Sequence, residues 1–169
     1  AFQGIKAPYM LVIVDEASGV NGPLWNAIDT LIANDQSKIL LIGNPDIPSG
    51  EFFDACAPGS SYRVVQIGAF DTPNFTGEEV PESIARQLIG RTYVEEKRRK
   101  WAPSWQWSDD GSRCLPPEGV TSEDSASPLW LSKVLGIFPP IAGDGTLIPI
   151  EWIRRAQLRT LDPEGTSQL

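Results

Sequence analysis

Asp15 and Glu16 are the residues with the plainest capacity for chemistry. They are adjacent carboxylates, and they follow directly on the apolar run MLVIV at residues 10–14. Such a pair suits the attack of water on a phosphate, one carboxylate assisting a Mg²⁺ ion while the other polarises the water. Apolar strands also end in acids simply because the chain is leaving the core, so these residues alone leave both readings open. Gly43 and Asn44 follow a second apolar run, ILLI at 39–42. The stretch 86–100 is locally basic, with Arg91, Arg98, Arg99 and further cations set against Glu95 and Glu96. It could touch a DNA backbone or supply an arginine to a neighbouring subunit's nucleotide. A solvated helix held by i,i+3 and i,i+4 ion pairs explains it more simply.

Residues 10–14 are long and apolar enough to read as a strand buried on both faces, as in a parallel sheet. A turn at 17–19 would release both carboxylates towards one crevice, although on a regular strand they point to opposite faces. Pro23 suits the first turn of a helix running to about residue 33, with Leu24, Ile28, Leu31 and Ile32 along one face. The run 39–42 is then a second strand. Strand, helix and strand with short connections make a βαβ unit, which favours a parallel pair. Both strands end at the same sheet edge, so Asp15, Glu16 and Asn44 gather there although far apart in sequence. Open α/β sheets place their chemistry beyond that edge.

Further along, 50–57 reads as a short helix and YRVVQI at 62–67 as a third strand. Residues 81–88 and 92–101 read as helices. The stretch 103–127, rich in Pro, Gly, Ser and Asp, reads as an irregular excursion or flexible loop. Helices follow at 128–135 and about 150–158, and 159–169 reads as a linker. Asp71 and Asn74 follow the third strand and either approach the crevice or bond nearby backbone in a turn. Trp101, Trp105 and Trp107 have the form of base-stacking residues, but pinning a loop to the domain is the simpler role.

Composition narrows the classes. The 169 residues carry 14 basic and 22 acidic side chains, a net charge of −8, which argues against a free-standing module that binds nucleic acid by charge alone. The absence of histidine removes Ser-His and Cys-His nucleophile pairs and His-ligated zinc. Cys56 and Cys114 form no C-x-x-C motif and read as reduced thiols. No apolar run is long enough to span a membrane.

Several segments, in order, resemble the large terminase subunit of tailed bacteriophages, the ATPase that packages DNA. LVIVDEA at 11–17 looks like its Walker B segment, and LLIGNP at 40–45 like its coupling motif. FDTPNFTG at 70–77 is similar to the stretch after the next strand. SPLWLSKVLGIFP at 127–139 and LIPIEWIRRA at 147–156 resemble the segments that close the ATPase domain.

The resemblance implies an α/β fold: part of a P-loop, RecA-like parallel sheet flanked by helices, plus a small helical subdomain. Residues 1–70 would be the second half of the ATPase core, 71–158 the helical subdomain, and 159–169 a linker towards a nuclease domain. It implies ATP as substrate and Mg²⁺ as cofactor, with Glu16 as the catalytic carboxylate and Asp15 assisting the metal. Gly43 and Asn44 would form the turn that senses the γ-phosphate. Implied partners are double-stranded DNA, a portal protein, a small terminase subunit and further copies in a ring, in the cytoplasm of a bacterial host. No G-x-x-x-x-G-K-[ST] occurs and no Gly-Lys pair exists, so the phosphate-cradling loop is expected upstream in a longer protein. A RecA-like helicase or translocase, or a non-catalytic α/β domain that binds partners, is the alternative.

Overall fold

A computed structural model describes residues 5–140, and the architecture is mixed α/β with a small parallel sheet flanked by helices. The expected helix at 150–158, the linker at 159–169 and the segment 147–156 lie outside the described residues. Strand β1 (Met10–Val14) pairs in parallel with β2 (Ser37–Leu41), Met10 opposite Ser37 and Val14 opposite Leu41. Helix α1 (Gly22–Leu31) makes the crossover. Asn21 caps it, its side chain accepting from the Leu24 amide, and Pro23 occupies the first turn, where no amide proton is needed. The βαβ reading of the sequence therefore holds.

Burial of the sheet is one-sided. Val12, Val14, Ile39 and Leu41 pack with Trp25 and Ile28 of α1 and with Phe52 of α2 (Glu51–Cys56). The alternate residues Leu11, Ile13, Leu40 and Ile42 are 46–60% exposed. The expectation of strands buried on both faces is corrected: among the described residues only one layer of helices covers the pair.

The third strand does not form either. Residues 62–67 join no ladder, and Val64, Val65 and Ile67 stand exposed. Strand propensity is realised only against a neighbouring strand. This run instead meets the returning chain. The Gln66 side chain donates to the Leu135 carbonyl, and beyond it Gly68 lies against Leu135 and Gly136 against Ile67. A Cβ on Gly68 would sit 2.8 Å from the Leu135 oxygen, and one on Gly136 2.7 Å from the Ile67 oxygen. The two backbones cross in contact, and no side chain larger than hydrogen fits between them.

A second apolar cluster lies past this crossing, built on α3 (Pro73–Thr76), α5 (Arg91–Trp101) and α7 (Pro128–Trp130). Between α3 and α5 lies the short α4 (Glu82–Ala85). Val94, Trp130 and Val134 are fully buried there. The stretch 103–127 is largely irregular, as its composition indicates, but it is seated on the core. It holds a two-residue hairpin, β3 (Gln106–Trp107) with β4 (Cys114–Leu115), and a helical turn α6 (Ser122–Ser125). Its polar residues hid two core anchors, Trp105 and Cys114, both nearly buried. Trp105 meets Trp130 edge-on at 5.5 Å and Trp107 stacks on Phe75 at 6.2 Å. These tryptophans pin the hairpin to the helices.

After α7 the helix widens into a single π-type turn over Leu131–Leu135, closed by the Gly136 amide reaching back to the Leu131 carbonyl. Gly136 stops it at φ +66°. The chain then returns to the first cluster, where Phe138 packs on Phe52 and Phe53.

Candidate active-site crevice at the sheet edge

Both strands of the parallel pair run out at one edge. Ladder bonding continues a step past them: the Ile42 amide donates to the Val14 carbonyl at 2.8 Å, and the Ala17 amide to the Ile42 carbonyl at 2.9 Å. Asp15 and Glu16 therefore form a two-residue protrusion between paired positions, and both are exposed. Glu16 has φ +53° and ψ +41°, the left-handed conformation, and among the described residues no other non-glycine has positive φ. A side chain there costs roughly 1–2 kcal/mol, because its Cβ crowds the following carbonyl. This flip starts the 3₁₀ turn Ala17–Gly19 and breaks the alternation of the strand. The Glu16 amide donates to Asp15 Oδ1 at 2.9 Å, which fixes the Asp15 carboxylate beside its neighbour.

Gly43 closes the other side. A Cβ on it would lie 3.1 Å from the Ala17 nitrogen and 3.4 Å from the Ser18 nitrogen. The turn after β2 is thus seated against the turn after β1, which brings Gly43 next to the acid pair. Asn44 follows and is exposed, Pro45 is buried, and the Asp46 amide bonds the Asn44 carbonyl at 2.9 Å.

An exposed carboxylate at a strand end is the kind of donor Mg²⁺ takes in enzymes. That ion takes one or two carboxylates and fills its octahedron with water and phosphate oxygens. Asp15 is the carboxylate here that would assist such an ion, and among the described residues no group of three or more His, Cys, Asp or Glu stands together. Two open grooves of about 620 and 690 Å³ lie elsewhere, one beside Arg91 and Trp107 and one beside Ile5 and Thr30. Neither is lined by the acid pair.

The three arginines singled out for DNA or nucleotide contact sit in different surroundings. Arg98 is engaged within the fold: it grips Glu95 through Nε and Nη2 and donates to the Trp105 carbonyl at 2.6 Å. Arg91 donates to the Gly111 carbonyl and lies over the Phe75 and Trp107 rings, at 5.1 and 5.7 Å. Arg99 also reaches Glu95 but is 74% exposed. Asp71 takes the turn role, accepting from the Gly68 amide, whereas Asn74 donates to the more distant Ala85 and Ile89 carbonyls. One contact beyond the β2 turn has no signal in residue order: Lys133 Nζ reaches Asp46 Oδ2 at 2.6 Å across 87 residues. Two lone charges so far apart carry no pattern by which to pair them.

Among the described residues, no helix is long and apolar enough to cross a membrane. No protein-family model matches the chain, and no solved structure matches it. The chain is similar to a probable terminase, large subunit, of Enterobacteria phage P7, with 28% identity over 160 residues, covering 75% of this chain and 32% of that protein. It spans about a third of the length of the curated relative it matches.

Proposed function

We propose that the chain is the water- and metal-handling half of a P-loop, RecA-like ATPase domain in a viral DNA-packaging motor of the terminase large-subunit type. The observation that carries this reading is the sheet edge itself. An acid pair with a strained, left-handed Glu16 closes β1, and the Gly43–Asn44 turn after β2 is seated against it. Backbone strain of that kind persists where function requires it, and the edge is where α/β sheets place phosphate chemistry. The similarity to a probable terminase large subunit supports the choice of motor.

In this reading Glu16 accepts a proton from water lined up on the γ-phosphate. Asp15, whose Oδ1 accepts from the Glu16 amide, would assist the metal. Mg²⁺, when bound with the nucleotide, neutralises charge on the phosphate oxygens. Gly43 and Asn44, in the turn packed against Ala17 and Ser18, would sense the γ-phosphate. The phosphate-cradling loop and most nucleotide contacts come from another part of the polypeptide. Double-stranded DNA, a portal protein, a small terminase subunit and further copies in a ring are the proposed partners, in the cytoplasm of a bacterial host.

The test is Glu16→Gln in the full-length protein. Turnover should fall at least about 100-fold, the usual contribution of a positioned general base, while ATP binding persists. Normal hydrolysis by that variant would refute the assignment.

A further inference from the structure

We propose that Asp46 and Lys133 are positioning residues that lock the turn after β2 to the second cluster, so that a displacement of Asn44 is passed on to the helices beyond. The inference rests on the proposed function for what moves Asn44, but the linkage stands on geometry. Asp46 and Asn44 belong to one tight turn, closed by the Asp46 amide on the Asn44 carbonyl. Lys133 lies in the π-type turn, whose other side chains Leu131 and Val134 are fully buried. The other ion pairs among the described residues join side chains three or four positions apart on one helix, whereas this one ties two clusters together. Both partners are 34% exposed, which shields the pair more than an open surface pair is shielded.

The surroundings give the pair a lever to act on. The glycine crossing at Gly68 and Gly136 holds the two backbones in contact, and it lies a few residues past Lys133. It serves as the pivot. Trp130, one turn before Lys133, is buried against the cluster that contains Val94 of α5. A shift of the β2 turn therefore tilts the 131–135 segment about the crossing, and α5 follows. The segment that would carry the shift is a single π-type turn, an irregularity common at functional sites.

Two readouts test this. The first is amide hydrogen exchange in the chain itself, with Lys133→Met, Asp46→Asn and the exchanged pair Asp46→Lys with Lys133→Asp. Each single variant should speed exchange at the amides of 42–46 and 131–137 at least about fivefold, the lower end of a site-to-site coupling. The β1 amides at 12–14 should not change, and the exchanged pair should return the rates to near those of the original chain. Unchanged exchange at 42–46, or an exchanged pair that folds but restores nothing, would overturn the linkage.

The second is DNA moved per ATP hydrolysed by the full-length motor. The single variants should lower that ratio at unchanged KM for ATP, and the exchanged pair should recover it. A ratio unmoved by the single variants would overturn the coupling role. If the unaltered full-length protein hydrolyses no ATP, the proposed function falls, and with it the nucleotide side of the coupling. The exchange result then decides the linkage by itself.

Discussion

Gly43 and Ala17 stand so close that a single added carbon at Gly43 would lie 3.1 Å from the Ala17 nitrogen. The neighbour is backbone and is already tied, because its amide donates to the Ile42 carbonyl. The two turns of the crevice are therefore one packed unit, and glycine is what allows it.

Gly43→Ala should separate those turns or strain them. The expected cost is about 1–3 kcal/mol, typical of an overpacked position. A urea denaturation curve checks it through the midpoint at constant slope. An unchanged midpoint would mean that the turns are not in contact.

Glu16 bears its strain in the backbone, so stability and chemistry should part company there. Glu16→Gly should stabilise the chain by about 0.5–1 kcal/mol, since glycine takes the left-handed conformation freely. Glu16→Val should destabilise it by more than about 1 kcal/mol, because a branched Cβ is worse placed. Thermal melts of the two variants, moving in opposite directions, are the check. Removal of the carboxylate by either should still abolish turnover in the full-length protein.

Acid should weaken the second cluster through Glu95. Arg98 first, then Trp107 and Arg99, hydrogen-bond its carboxylate, outweigh the opposing effect of burial, and hold its pKa far below the ordinary 4.5. A carboxyl with a depressed folded-state pKa stabilises the fold above its unfolded value, and that stability is lost as pH falls towards the folded value. Unfolding free energy should therefore decline below about pH 4.5. Glu95→Gln should flatten that decline and cost about 1.5–3 kcal/mol at neutral pH, the worth of hydrogen bonds to a charged group. Denaturation midpoints between pH 3 and pH 7 would show it.

The two thiols should differ in reactivity. Burial pushes Cys114 up to about 11, a shift that nearby Arg98 opposes and Glu95 reinforces. Cys56 is raised by burial as well but is only half-buried. A thiol-specific colorimetric reagent near pH 8 should label Cys56 first, and Cys114 only as fast as the second cluster opens, because the thiolate is the reacting form. Rapid labelling of both in the native state would contradict the buried placement of Cys114.

Much of the first cluster was legible because its signals are local. Two apolar runs, an intervening helix with Pro23 in its first turn, and short connections leave a parallel βαβ unit as the simplest arrangement. Both strand ends, with Asp15, Glu16 and Asn44, then fall at one edge. The run at 62–67 reads as a third strand, but its β-branched residues state only that the segment could pair, not whether a partner stands beside it. The stretch 103–127 is irregular, as its composition suggests, but composition does not reveal that it is anchored. Its Pro, Gly and Ser dominate the composition, while Trp105 and Cys114, which seat it in a core, are only two residues among many.

The sequence by itself determined the element order, the acid pair at a strand end and the glycine that follows the second strand, since each depends on residues near one another in the chain. Only the tertiary structure decided that Glu16 is left-handed, that Gly43 rests on Ala17, that Arg98 is engaged within the fold, and that Lys133 reaches Asp46. Those depend on which surfaces meet when distant segments pack. The space left between two backbones, or a lone charge within reach of another, is a property of the packed chain and has no counterpart in residue order.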